Sequence, residues 1–508
     1  MIDEQATSGP RARTVQDYID MRPTWPDGTP VRSTPMTGMQ WLIWSLAAAG
    51  KFFEGLVVFM TGIALPLIAR QFHLDAGQGG IVGAATLFGI LIGAVTLGGL
   101  SDIFGRKRMF VVEMLIFMVF LGILAVVPGY VPLVICLFGI GLALGCDYPT
   151  AHMIISESTP SASRGQLVLA AFAFQAVGAL VGTGVGWLVL QADPALDAWH
   201  WMFATALFPG LIVTVWRFYI TESASWLFVR GEHERAVVMA KRLLRRNPQF
   251  PKEIRLERAE THTEKPNYGA LFNRQNRRAT IFASVPWFLQ DLSTYGIGIF
   301  TPTLLAAAFG GAPDHIRSTS DIITKDILAA KGSALITSML LVGITFAVIL
   351  ADRIGRIKLQ VFGFVGCALG LLIASCSVYV DGFGKIFLIF AGVMLFNFMT
   401  DLGPNAQTYL LAGEVFPTAI RGSGAGFAAA FAKVGAVLTA FMFPILLKGI
   451  GQQFLLLILV GTSLVGAWVT WAYRIETTGV NLDTIGLDAT GPEPADGALP
   501  ATPAMVKP

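Results

Sequence analysis

Glu157-Ser158-Thr159-Pro160-Ser161-Ala162-Ser163-Arg164-Gly165 returns 257 positions later as Glu414-Val415-Phe416-Pro417-Thr418-Ala419-Ile420-Arg421-Gly422. Both read Glu-x-x-Pro-x-x-x-Arg-Gly, and each closes a long apolar run. A second pair of loops agrees with the first. Asp102, Gly105, Arg106, Lys107 and Arg108 follow one apolar run, and Asp352, Gly355, Arg356 and Lys358 follow another, with the two Asp residues 250 positions apart. Unrelated polar loops rarely match in this way, so the chain reads as a duplicated unit.

The apolar runs around these loops set the class. Of 508 residues, 54% are hydrophobic and only 14% charged, too little charge for a soluble chain of this length. Runs of about 20 apolar residues separated by short polar loops are long enough to cross a bilayer as helices. We read twelve spans, at roughly 41–69, 79–100, 109–128, 131–156, 165–190, 199–220, 279–308, 333–351, 359–380, 385–411, 422–447 and 453–473. The expected fold is an all-α membrane protein of two six-helix pseudo-repeats, over residues 41–221 and 279–475. Residues 1–40 and 222–278 then form a tail and a central loop, and 476–508 a largely disordered, Pro- and Ala-rich tail.

Lys and Arg concentrate in the tails and in loops on one side, including Arg106–Arg108 and Arg353–Lys358. The positive-inside rule therefore places both termini in the cytoplasm of a cell whose inner membrane holds the chain. The N-terminus is polar and shows no cleavable apolar segment. The central loop carries a basic amphipathic stretch over 232–246, which reads as a helix on the membrane surface. A net charge of +3 does not suggest nucleic acid, and the four Cys lie in apolar segments without ligand spacing. No nucleophile–base pair, phosphate-cradling loop or metal cluster occurs, so an enzyme, a cofactor and a metal are not expected.

Chemistry is carried by charges inside spans, because each costs on the order of 3 kcal/mol unless it faces protein or water. They are Lys51, Glu54, Glu113, Asp147, Arg217, Asp291, Asp401 and Lys433. Asp147 lies in Gly145-Cys146-Asp147-Tyr148-Pro149, and either a neighbouring cation satisfies it or it binds substrate or protons. Lys51 and Glu54 share a helical face at i, i+3, so a local ion pair competes with an embedded functional acid. Trp287, Asp291 and Tyr295 stack at i, i+4, i+8, offering an aromatic wall, a titratable group and a hydroxyl to a small polar ligand. Lys433 either complements an anionic substrate or neutralises Asp401. Gly178, Gly182 and Gly186, and likewise Gly422, Gly426 and Ala430, read as ridges for close helix packing.

With these motifs in place the chain resembles a major facilitator superfamily transporter over about residues 40–485. It is nearest the sugar-porter-like and phosphate:proton symporter branch. Glu414-Val415-Phe416-Pro417 with Arg421-Gly422, the pentad at 145–149 and Glu476-Thr477-Thr478-Gly479-Val480-Asn481-Leu482 carry that match. The resemblance implies an interhelical charge cluster of Asp102, Arg106 and Arg164, with Glu157 in reach, and a second of Asp352, Arg356, Glu414 and Arg421. Their making and breaking would drive alternating access, with Gly105 shaping the turn. It also implies a substrate site of Tyr148, Gln175, Trp287, Asp291, Tyr295, Asn405 and Lys433, with Glu54 matching a membrane-embedded acid of related symporters. Asp147 is read as the proton carrier and Asp291 as the substrate-linked acid.

Several positions depart from the family pattern. Leu137 stands where relatives carry an Arg ten residues before the pentad Asp, which would leave Asp147 without its cation unless Lys51 substitutes. Ile103 replaces a loop Arg, and Asp401 replaces an apolar residue. The resulting expectation is a monomeric secondary transporter that moves a small polar or anionic metabolite of phosphate or organic-acid type together with protons. A proton-coupled sugar or polyol porter and a transporter-like membrane sensor are the alternatives.

Overall fold

The computed structural model describes residues 14–23, 34–97, 100–246, 250–251, 253–256, 268–309, 319–417 and 420–475. The described residues are helical almost throughout, with no strand among them. A short N-terminal helix, α1 (Val15–Asp20), precedes α2 (Gly38–Gln71), α3 (Ala76–Thr96), α4 (Leu100–Phe104), α5 (Arg106–Leu124), α6 (Tyr130–Ser158) and α7 (Arg164–Ala192). The sixth span is made of α8 (Trp199–Thr205) and α9 (Leu207–Arg217), and the central loop holds α10 (Ala224–Val229) and α11 (His233–Leu243). The second half comprises α12 (Arg277–Phe309), α13 (Thr319–Ile354), α14 (Arg356–Ser375), α15 (Phe383–Leu402), α16 (Pro404–Ala412) and α17 (Arg421–Tyr473).

Nine of these stretches are long and apolar enough to cross a membrane among the described residues. One of them, α17, is two spans joined at Gly451, whose φ of 81° no helix interior accepts. Adding α5 and α12, which carry more polar residues, gives the twelve spans expected. The tenth is broken in the middle: Gly403 ends α15 and Pro404 starts α16, a position where the missing N–H costs nothing.

Lipid tails give no hydrophobic drive for one apolar helix to seek another, so close fit decides the packing. The fifth span shows this. A Cβ on Gly178 would stand 1.9 Å from the Phe52 carbonyl oxygen, and one on Gly182 2.4 Å from that of Leu56. The glycine ridge of α7 therefore beds directly on the backbone of α2. The corresponding ridge expected in the eleventh span does not form at Gly426, which faces open space, and Gly422 is not described at side-chain level. There it is Gly435 that approaches a neighbour, the Phe288 carbonyl.

Within the first half α2 packs on α7, α3 on α6 and α5 on α6; within the second, α12 packs on α17 and α14 on α15. The halves meet where α3 lies on α17, α7 on α13 and α2 on α12. Residues such as Val126, Trp201 and Phe208 face outward, where lipid covers them. The basic amphipathic stretch forms α11, and its Ala236, Ala240 and Leu243 are buried against the body. The tail motif at 476–482, and the tail expected to be disordered, lie outside the described residues.

Candidate substrate and proton site

Six polar side chains from four helices converge at the meeting of the halves. Lys51 and Glu54, one turn apart on α2, form an ion pair at 3.1 Å. The Gln175 amide of α7 donates to Glu54 Oε1 at 3.2 Å and to the Tyr295 hydroxyl at 2.9 Å. The Tyr295 hydroxyl in turn donates to Glu54 Oε1 at 3.0 Å. Lys433 of α17 donates to Asp291 Oδ2 at 3.0 Å and to the Tyr295 oxygen at 2.8 Å, with Glu54 Oε1 3.8 Å away. Lys51, Glu54, Asp291, Tyr295 and Lys433 are all buried. Two ammonium groups thus balance two carboxylates, and the network joins α2 and α7 to α12 and α17.

Beside it lies a narrow cavity of about 20 Å³, lined by Phe59, Gln175, Ala176, Ala179, Thr294, Tyr295, Leu340, Asp401 and Asn405. Residues of both halves line it, as expected for a site between two pseudo-repeats. Asn405, one residue past the Gly403–Pro404 break, donates to Asp401 Oδ1 at 2.6 Å and accepts from Gln290 Nε2 at 3.1 Å.

Trp287 does not join this polar network. It packs edge-on to Tyr409 of α16, ring centroids 6.0 Å apart, and Tyr409 stacks on Phe172 of α7 at 4.5 Å. His152 adds an edge contact to the same ring. These four rings form an aromatic plug across the two halves. Tyr148 is helical, but its side chain is not among the described ones.

Asp147 has a different environment from the one expected. Arg217, the last residue of α9, donates through Nη2 to Asp147 Oδ1 at 2.8 Å and through Nη1 to Glu113 Oε1 at 2.6 Å. It also donates to the Phe110 carbonyl and lies over the Phe110 ring at 3.5 Å. The cation lost at Leu137 is therefore supplied by the sixth span, and Lys51 is engaged with Glu54 instead. Asp147 does not face the Trp287–Asp291–Tyr295 stripe. It packs where Gly50 leaves room, since a Cβ there would lie 1.8 Å from Asp147 Oδ2. Lys433 neutralises Asp291, not Asp401.

Each half shows an ion pair of its expected loop cluster. Arg106 pairs with Glu157 at 3.4 Å, and Arg356 forms an ion pair with Glu414. Arg164 donates to Ser161 Oγ at 3.4 Å. Asp102 lies in α4, Asp352 in α13 and Arg421 begins α17, but their side chains are outside the described ones. Gly105 and Gly355 each precede a helix at positive φ, 107° and 94°, a backbone only glycine adopts without strain.

Sequence reasoning missed how two residues act. Glu222 accepts from the Lys107 backbone N–H at 2.9 Å, placing a carboxylate at the N-terminus of α5, where the helix dipole favours it. Arg217 was visible as an in-span charge, and depth could have matched it to its partners. Arg217 ends its helix at the same end of the bundle where Glu113 lies two turns into α5.

The chain is 28% identical over 462 residues to the inner membrane metabolite transport protein YgcS of Escherichia coli (strain K12), covering 90% of this chain and 97% of that protein. It is 26% identical over 515 residues to inorganic phosphate transporter 1-1 of Oryza sativa subsp. japonica, covering 90% and 95%. Its fold is similar to that of the xylose transporter XylE from E. coli in a partially occluded inward open conformation. The TM-score is 0.70 at 20% identity, over 88% of this chain and all of that one. The family described as sugar (and other) transporter matches residues 43–488. The chain is an integral membrane secondary transporter of the major facilitator fold, and it belongs to the sugar (and other) transporter family.

Proposed function

We propose that the protein carries a small anionic or polar metabolite across the membrane together with protons, by alternating exposure of the cavity between its two halves. The observation that carries this reading is the Lys433–Asp291–Tyr295–Gln175–Glu54 network, which ties the halves together with its charges balanced. Buried in low dielectric, Lys433 cannot lose a counter-charge cheaply. A proton placed on Asp291 therefore leaves Lys433 in need of an anion, and the substrate supplies it. Loading is then electroneutral: the empty network is balanced, and a half-loaded state, with the proton or the anion alone, is disfavoured by an uncompensated charge.

Glu54, Gln175, Asp291, Tyr295, Asn405 and Lys433 hold the substrate in this reading, with Trp287 closing one end of the cavity and Tyr148 from the pentad. Asp147 takes up the coupling proton together with Glu113, because two carboxylates on one guanidinium leave a charge that a proton neutralises. The Arg106–Glu157 and Arg356–Glu414 pairs, with Asp102, Asp352, Arg164 and Arg421, latch the loop side. The loop side is the cytoplasm, with both termini there, on the balance of Lys and Arg, and the protein works as a monomer in an inner membrane.

A neutral sugar or polyol is the second reading. It is favoured by a cavity lined with amides and hydroxyls (Gln175, Thr294, Tyr295, Asn405) and by lysines already neutralised. Uptake of labelled phosphate, short organic acids and hexoses into proteoliposomes under an imposed pH gradient separates the two. Accumulation of an acid or phosphate that collapses with the gradient is expected. Undiminished gradient-driven uptake by Asp147→Asn would remove the proton role assigned to Asp147.

A further inference from the structure

Asp401 is a carboxylate that this arrangement has not used. It is 3% exposed, it lines the cavity, and among the described residues no Lys or Arg lies within ion-pair distance of it. Its one donor is the neutral Asn405 amide on Oδ1, and Oδ2 has no protein donor among the described residues. Lys433 is engaged with Asp291 and Tyr295. Gln290 lies next to this lining, bonded through Nε2 to Thr294 and Asn405, and its buried Oε1 has no hydrogen-bond partner among the described residues. Asp401 therefore offers the cavity a carboxylate with a single donor, and Gln175 and Tyr295, to whose hydroxyl Lys433 donates, line the same cavity. Burying an acceptor without a donor costs free energy, and a buried carboxylate costs most.

We infer that Asp401 is a specificity-determining residue that accepts a hydrogen bond from the substrate, so that the cargo is a small carboxylate that also bears a hydroxyl or ammonium donor. This rests on the proposed function, in which Lys433 meets the anionic end. Asp401 meets the donor end, and Asn405 holds its carboxylate toward the cavity. An anion with no donor leaves Asp401 unanswered and is rejected. A site built to hydrogen-bond a substrate group discriminates strongly against the analogue that lacks it.

Size-matched acids test this. Binding of gluconate against hexanoate, and of quinate against cyclohexanecarboxylate, is measured by thermal shift and calorimetry on the purified full chain. 6-Aminohexanoate distinguishes an ammonium donor from a hydroxyl. In at least one pair the donor-bearing acid, or 6-aminohexanoate against hexanoate, is expected to bind at least tenfold more tightly. In Asp401→Asn, which keeps the side-chain size, and in Asp401→Ala, which removes the acceptor, that preference should fall below threefold. The unliganded melting temperature of Asp401→Asn monitors the fold. If no donor-bearing acid is preferred, or the preference survives in both variants, the inference is overturned. Lys433→Ala separates it from the reading beneath it. If that variant binds carboxylates as well as the wild type while Asp401→Asn still loses the donor preference, the anion role of Lys433 fails and the role of Asp401 stands.

Discussion

The protein buries two clusters of charge, and they differ in which bodies they join. Arg217, Glu113 and Asp147 come from α9, α5 and α6, all in the first half. Lys433, Asp291 and Tyr295 come from the second half and reach Glu54 and Gln175 of the first. When the halves rock, the first cluster can travel intact with its half, whereas the second must loosen its cross-half bonds. In the proposed cycle the first cluster holds one half together while carrying the coupling proton, and the second ties the halves to each other. The first has one cation for two acids, and the second is balanced.

The largest expected effect breaks the second cluster. Lys433→Ala strands Asp291 at the interface, while Glu54 keeps Lys51, a loss on the order of 3–5 kcal/mol for a buried pair, and uptake into proteoliposomes should fall more than 100-fold. Near-normal uptake would mean that the bridge between the halves is merely packing. Next is the first cluster. Arg217→Met leaves two buried acids without a cation and should cost about 3–5 kcal/mol, read as a lower melting temperature in detergent. Combining it with Glu113→Gln and Asp147→Asn should restore most of that loss, because three neutral groups no longer need one another. A triple variant that melts as low as the single one would contradict a cohesive role. The smallest change sharpens the contrast from outside both clusters. Gly105→Ala must hold a positive φ with extended ψ at about 1–3 kcal/mol and crowd Glu222, whose Oε2 lies 2.6 Å from the added Cβ. Turnover should drop several-fold while substrate affinity stays constant, which a filter assay of uptake against binding resolves.

Much of the fold could be read from spacing alone. The repeated Glu-x-x-Pro-x-x-x-Arg-Gly located the duplication, and the apolar runs located all twelve spans, since a bilayer sets a minimum helix length. Of the site, Asp291 and Tyr295 were legible because i, i+4 positions share a face, and Lys51 with Glu54 because i, i+3 positions do. Trp287 shares that face by register, but α16 comes close enough there to claim the ring for Tyr409. The Arg217–Asp147 pair was not legible. Its members are 70 residues apart, and only the packing of the third, fourth and sixth spans brings them together. Asp401 was visible as an odd charge. Its neighbour four residues on could not be assumed across the Gly403–Pro404 break, where helical register is not guaranteed.

The aromatic plug gives this protein an optical reporter. Trp287 is 3% exposed and sits edge-on to Tyr409, whose ring is stacked on the opposite half through Phe172. Parting the halves on that side uncovers the indole, so its emission shifts to longer wavelength as water reaches it. Trp41, Trp201, Trp216, Trp468 and Trp471 are at the exposed surface, so they can be replaced by Phe with little effect on the core. Trp25, Trp44, Trp187, Trp199 and Trp226 remain beside Trp287, so the part of the emission that Trp287→Phe removes on that background follows, without an added label, how often the plug opens.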